Sequence, residues 1–291
     1  MNHRLARAIV TVIASAGVSL SAPEKGASEI QVKSTLDGES QPCTFFVPDQ
    51  YDAQVSTPLV VCLHSWGGNY KEKADKIIPE ARKRGWLAIL PNYRNGNHSP
   101  KACGSKFAVQ DIVDAVNYVV ETCNVDKNRI YLVGGSGGGH MSLVMAAQHP
   151  EIWAAVSCWC PISDLKKFYD EMDPASESGK AADKEAKKFT EGIRTGLTKS
   201  CGGAPGISPE VDREYQERSP ITFISKAKDV SLFIHHGAKD VLVAPHHGED
   251  AYQALIAAGA TNVTFNLHPG GHTIDMAIAC DEIAKRHKVG K

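Results

Sequence analysis

The pentapeptide Gly134-Gly135-Ser136-Gly137-Gly138 places a serine between glycines in the G-x-S-x-G pattern. It follows the apolar run 130–133 and opens a helical stretch over 138–148, in which Met141, Leu143, Val144 and Met145 are apolar. In a strand–motif–helix context, such a serine stands on a sharp, strained turn that lifts its hydroxyl above the strand end. The flanking glycines let strand and helix approach without side-chain clash. The helix N-terminus adds positive potential where an oxyanion would form. Gly-rich turns of this kind also cradle phosphates, but no G-x-G-x-x-G with a following acidic residue and no G-K-[ST] is present. The chemistry implied is attack of Ser136 on a carbonyl carbon.

A serine hydroxyl is a poor nucleophile without a base, and a base needs an orienting acid. Chain order Ser, then acid, then His is one solution to that geometry. His272, in His268-Pro269-Gly270-Gly271-His272, falls after the last strand and before the last helix, so a loop carries it to the same sheet edge as Ser136. His268 is its rival, but it sits at the strand end and Pro269 restricts it. The acid is expected after the preceding strand, 230–234, where Asp240 stands in the loop. Asp229 precedes that strand and belongs to the wrong edge, and Asp250 belongs to the next helix. The doublets His235-His236 and His246-His247 have the residue type for metal binding. No carboxylate or cysteine spacing accompanies them, so they are read as solvated loop histidines, and no metal or organic cofactor is expected.

Two backbone N–H donors are needed to hold an oxyanion. Gly137, directly after the serine, supplies one. The loop His64-Ser65-Trp66-Gly67-Gly68-Asn69, after an earlier strand, supplies the other, with Trp66 first and Ser65 next as the donor. Ser65, Trp66 and Trp159 are also candidates to line the pocket, ordinary packing being the alternative for each tryptophan.

The elements that must position these residues alternate. Apolar runs at 58–63, 86–90, 130–133, 153–157, 230–234 and 263–267 read as strands buried on both faces. Helical patterns lie between them at 73–84, 107–122, 138–148, 251–258 and towards 288, and an opening strand pair with a turn at Asp37-Gly38 precedes them. Alternation of this kind argues an α/β protein with a mostly parallel sheet covered on both faces. The charged stretch 166–218 interrupts the rhythm and reads as a cap-like insertion over the sheet's C-terminal edge, or else as a solvated excursion.

Composition narrows the class further. The chain has 291 residues, with 32 basic and 33 acidic side chains giving a formal net charge of -1, so no overall field draws it to nucleic acid or an anionic membrane. Arg4 and Arg7, an uncharged run over 8–22, and Ser19, Ser21 and Ala22 at its end have the pattern of a secretory signal peptide. Residues 1–22 are therefore expected to be a signal peptide, and 23–291 a catalytic domain that is secreted or periplasmic and free of the membrane. The eight cysteines suit an oxidising compartment and disulfide bonding, although Cys62, inside an apolar strand, reads as a buried small hydrophobe. Cys103 and Cys123 flank a helix and are too far apart to pair with each other.

Taken together, Leu63-His64-Ser65-Trp66-Gly67-Gly68-Asn69, Gly134-Gly135-Ser136-Gly137-Gly138-Gly139-His140, the Asp240 loop and Gly270-Gly271-His272 resemble the α/β-hydrolase superfamily. The resemblance is to prolyl-oligopeptidase-like and polyhydroxybutyrate-depolymerase-like esterases, the group that includes feruloyl and acetylxylan esterases. It implies an α/β-hydrolase fold with an eight-stranded sheet, a Ser136–Asp240–His272 triad and acyl transfer to water. Many relatives carry His-Gly where this chain has His64-Ser65, which implies a different backbone shape for that loop. The expected substrate is an ester, of an acylated plant polysaccharide or a polyester. Peptide hydrolysis by the same triad is the alternative, and a non-catalytic binding module is the third reading.

Overall fold

Continuous apolar runs can be satisfied only where both faces of a strand are covered. In a computed structural model of the chain, which describes residues 23–173 and 184–288, such runs form the middle of one eight-stranded sheet. The strands are β1 (Gly26–Lys33), β2 (Ser40–Val47), β3 (Thr57–Leu63), β4 (Leu87–Pro91), β5 (Val125–Gly135), β6 (Ala155–Trp159), β7 (Ser231–Gly237) and β8 (Val263–His268), in the order 1-2-4-3-5-6-7-8. β2 pairs antiparallel with β1 and with β4, and every pair from β4 through β8 is parallel. All residues of β3, β4 and β6 are buried, whereas β1 alternates as an edge strand should. This is the α/β-hydrolase fold.

Helices α1 (Ala74–Arg84), α2 (Lys106–Thr122) and α3 (Gly137–Gln148) follow β3, β4 and β5. The insertion supplies α4 (Leu165–Glu171), α5 (Lys184–Cys201) and α6 (Pro209–Arg218), and α7 (His246–Ala257) and α8 (Met276–Ile283) complete the described helices. Two cores result. On one face α2, α3 and α7 pack on the sheet through residues such as Ile112, Val116, Val144 and Leu255. On the other, α1 and α8 do so through Ile77, Ala81, Ala279 and Ile283.

Three sequence expectations are corrected here. β6 runs from Ala155 to Trp159 rather than over 153–157, because it takes its register from Tyr131 through Gly135 of β5. β7 continues to Gly237, so His235 and His236 are strand residues. All eight cysteines are free and buried, so the expected disulfide bonding is not found. Seven of them pack in the apolar cores and Cys160 donates to Thr273 O beside Asp240, and desolvation pushes thiols such as Cys43 and Cys62 up to about 12. Cys62 is as its strand context implies.

The 166–218 stretch is less polar in space than in sequence. Leu165, Phe168, Ile193, Leu197, Cys201 and Tyr215 form a third apolar cluster, closed from below by Trp66 and Val243. Arg218 anchors its far end by donating to the carbonyls of Pro100, Ala102 and Cys103. The signal-peptide expectation for 1–22 lies outside the described residues. No described helix is long and apolar enough to cross a membrane.

Candidate active site

The turn between β5 and α3 is as tight as the glycine spacing requires. Ser136 has φ 60° and ψ −124°, a strained conformation for a residue with a side chain. Its N–H donates to Trp159 O at 2.9 Å, and its carbonyl accepts from His140 N at 2.9 Å, so neighbouring backbone holds the strain in place. A Cβ on Gly134 would lie 2.3 Å from Gly138 O, which is why strand and helix need glycine there.

Asp240 and His272 come from the loops after β7 and β8 and meet at 2.7 Å, Asp240 Oδ2 to His272 Nδ1. The other carboxylate oxygen, Oδ1, accepts from Leu242 N at 2.9 Å and Val243 N at 3.0 Å. A second imidazole reaches the same acid, with His236 Nε2 3.3 Å from Oδ2 and 2.9 Å from Val243 O. Both of those partners are acceptors, so His236 Nε2 carries a proton. Desolvation opposes the Asp240 charge, but the hydrogen bonds from His236, His272 and Val243 outweigh it and hold the carboxyl far below the usual range. An ionised Asp240 can only accept, so His272 Nδ1 carries the proton and Nε2 is left as the basic nitrogen.

Ser136 and His272 line one cavity of about 560 Å³ with Ser65, Glu72, Lys73 and Ile274. A larger cleft, about 720 Å³, lies beside Asp229 and Lys288 at the opposite end of the strands and includes none of these groups.

The loop after β3 is held by groups that sequence patterns do not signal. His64 is buried, stacks on Tyr93 at 3.9 Å, and bridges Ser65 O and Asn92 O. Glu72 accepts from Ser65 N at 3.1 Å and from the Ser65 hydroxyl at 2.6 Å, and Lys73 Nζ donates to that hydroxyl at 2.8 Å. The Ser65 N–H is therefore already engaged. The Trp66 N–H is the next along, and a Cβ on Gly137 would lie 2.5 Å from it, so the backbones of Gly137 and Trp66 face each other closely. Ser65 is not among the residues with positive φ, so this position does not call for glycine.

The tryptophans behave as packing residues. Trp66 is buried against Phe168, with ring centroids 5.7 Å apart. Trp159, expected at the pocket wall, does not line the cavity. It stacks on His235 at 4.1 Å, and its indole N–H donates to Ser157 Oγ at 2.9 Å. Behind it, Glu282 accepts from Ser157 Oγ at 2.6 Å and stands 3.0 Å from His235 Nε2, forming a buried polar support. The reading of the doublets as solvated is corrected as well: His235, His236 and His247 are buried.

A strained serine above a parallel sheet, with a His–Asp pair delivered by the last two strand-end loops, defines the α/β-hydrolase class. Within that class, the family profile BD-FAE matches residues 45–255, and the chain belongs to the BD-FAE family. Feruloyl esterase B of Neurospora crassa is 29% identical over 127 residues, 40% of this chain and 43% of that protein. Acylamino-acid-releasing enzyme of Arabidopsis thaliana is 25% identical over 228 residues, 75% of this chain and 28% of that protein. The chain thus spans less than half of either relative. Among solved structures, puromycin hydrolase superposes with a TM-score of 0.67 at 18% identity, covering 89% of this chain and 38% of that one, a likeness of fold.

Proposed function

We propose that the protein is a serine ester hydrolase in which Ser136 is the nucleophile, His272 the general base and acid, and Asp240 the acid that orients His272. The observation that carries this reading is the 2.7 Å Asp240–His272 pair, with His272 lining the same cavity as the strained Ser136. In the acylation step, Ser136 Oγ attacks the ester carbonyl as His272 Nε2 takes the hydroxyl proton, and the carbonyl oxygen becomes an oxyanion. The Gly137 and Trp66 N–H groups hold that oxyanion. His272 returns the proton to the departing alcohol, leaving an acyl-serine. Water, deprotonated by His272, then attacks the acyl carbon, the bond to Ser136 Oγ breaks as His272 returns the proton to that oxygen, and the acid product leaves. No step calls on a metal or organic cofactor.

The substrate reading follows from the cavity and the relatives. Glu72, Lys73, Asp75 and Lys76 line the cavity together with Ile274 and Met276, a lining suited to an ester with a polar portion. The feruloyl esterase relatives support an ester substrate, and an acylated plant polysaccharide or a polyester is the substrate class we propose. The signal-peptide pattern of residues 1–22 favours a secreted or periplasmic site of action. The second reading, a serine peptidase, is supported by the acylamino-acid-releasing relatives, whose similarity covers 75% and 72% of the chain against 40% and 71% for the feruloyl esterases.

The test is hydrolysis of a p-nitrophenyl ester series, feruloylated and acetylated xylan, and N-acyl peptide amides by wild type and Ser136→Ala. Ester cleavage lost in a folded Ser136→Ala protein supports the reading. Equal rates in the two proteins would remove Ser136 as nucleophile, and cleavage of amides alone would move the peptidase reading to the front.

A further inference from the structure

The second histidine doublet meets a carboxylate that lies 75 residues earlier in the chain. His246 and His247 open α7, directly after the Asp240 loop, and Glu171 closes α4 of the insertion. Glu171 Oε1 is 2.5 Å from His246 Nε2, and Oε2 is 3.2 Å from His247 Nε2. One ligand atom from each of the three residues lies within 4.8 Å of the others. Two imidazole nitrogens and a carboxylate oxygen, with a fourth position left to water, form the donor set of an open tetrahedral zinc site. With metal–ligand distances of about 2.0–2.1 Å, neighbouring ligand atoms in a tetrahedron stand roughly 3.3–3.4 Å apart. The present spacings of 2.5 and 3.2 Å are shorter than that value, so the side chains must draw back by up to about 0.9 Å to admit an ion.

The surroundings also fit. Metal-bound histidines usually have their second nitrogen oriented by a hydroxyl, carbonyl or carboxylate. His247 Nδ1 accepts from Ser163 N at 3.4 Å and lies 3.3 Å from Ser163 Oγ, which fixes the ring with Nε2 facing Glu171, where an ion would displace the Nε2 proton. His246 Nδ1 is buried without a hydrogen-bond partner, with Asp250 Oδ2 the nearest carboxylate at 3.6 Å. His247 is fully buried and packs edge-on against Phe168, so its ring cannot swing away, whereas His246 and Glu171 remain partly open to solvent as an entry path requires. The other cluster of this kind among the described residues, Cys160–His236–Asp240, belongs to the support of His272 and is not a competing candidate.

We propose that Glu171, His246 and His247 bind one divalent zinc-type ion, which fastens the insertion helix α4 to the segment that follows Asp240. This site is independent of the ester-hydrolase reading.

The test uses the full chain, stripped with EDTA, dialysed against ZnCl₂ and then against metal-free buffer, with bound zinc counted by elemental mass spectrometry. Wild type should retain one Zn²⁺ per chain and melt at a higher temperature with zinc than without. Glu171→Gln and His246→Gln, both at partly exposed positions, should lose that zinc and that shift while melting cooperatively. Co²⁺ added to the stripped wild type should give the intense visible bands of a tetrahedral site, absent in both variants. A wild type that retains no zinc, or variants that retain as much as wild type, would overturn the proposal and leave the three residues as a hydrogen-bonded clamp.

Discussion

Asp240 holds His272 with one carboxylate oxygen and its own loop with the other: Oδ2 lies 2.7 Å from His272 Nδ1, while Oδ1 accepts from the backbone of Leu242 and Val243. The same acid therefore sets the imidazole tautomer and fixes the loop from which it acts. Asp240→Asn keeps the shape, but its amide can present an N–H to His272 and so favour the wrong tautomer. We expect kcat on an activated ester to fall by about four orders of magnitude, by analogy with the corresponding change in a serine protease triad. Steady-state kinetics beside a thermal melt checks this, since a purely structural role would lower Tm without a matching loss in kcat.

Gly137 has no room for a side chain. An added Cβ would lie 2.5 Å from Trp66 N and 2.6 Å from Trp66 Cα. Gly137→Ala should push the two N–H groups apart and cost about 10²–10³ in kcat, the usual loss for one oxyanion donor. KM should change much less, because the hole is used in the transition state. A variant with unchanged kcat would show that the oxyanion is held elsewhere.

Glu72 ties Ser65 and Lys73 together, and Lys73 is only 8% exposed. Glu72→Ala leaves the Ser65 N–H without its acceptor and a nearly buried ammonium without its counter-ion, with only Ser65 Oγ and Leu63 O still accepting from it, which should destabilise the fold by about 1–3 kcal/mol. Freed Ser65 should also loosen the loop before Trp66 and lower kcat. Urea unfolding and ester kinetics on the same samples measure both effects.

Buried histidines set the response to acid. Desolvation pushes His140 down to about 4, and burial lowers His64 and His247 as well. Their folded-state values lie below those of the unfolded chain, so between about pH 6.5 and 4 the unfolded state binds more protons. Stability should therefore be full above about pH 6.5 and fall as pH drops through that window, by up to about 1.4 kcal/mol per pH unit for each such histidine. Asp240, with its depressed carboxyl, adds a further loss only at lower pH, below the ordinary carboxylate range. Denaturant midpoints at pH 7, 6 and 5 test the sign, and a midpoint that rises on acidification would contradict it.

Much of the site can be read locally. The elbow at Ser136 is announced by glycines within two residues of it, because strand and helix must meet there without a Cβ between them. Asp240 and His272 are found by counting strands, since a parallel sheet delivers every strand-end loop to one edge. The apolar pattern alone does not place Trp159. Its direction depends on where β6 ends, and that follows from pairing with β5 rather than from the run of apolar residues. The apolar run likewise ends before His235 and His236, and only pairing with β8 extends β7 through them to Gly237.

The alternating strand–helix order, the tight strand–helix turn at Ser136 and the loops that carry Asp240 and His272 are legible in the residues alone, because each depends on short-range backbone geometry and hydrophobic period. Only the tertiary structure decided which groups support them. Glu72 beside Ser65, His236 behind Asp240, and Glu171 against His246 and His247 are brought together by chain crossings and side-chain rotamers. Such contacts leave no period in the sequence, because a hydrogen bond between residues 75 apart constrains neither neighbour's local conformation.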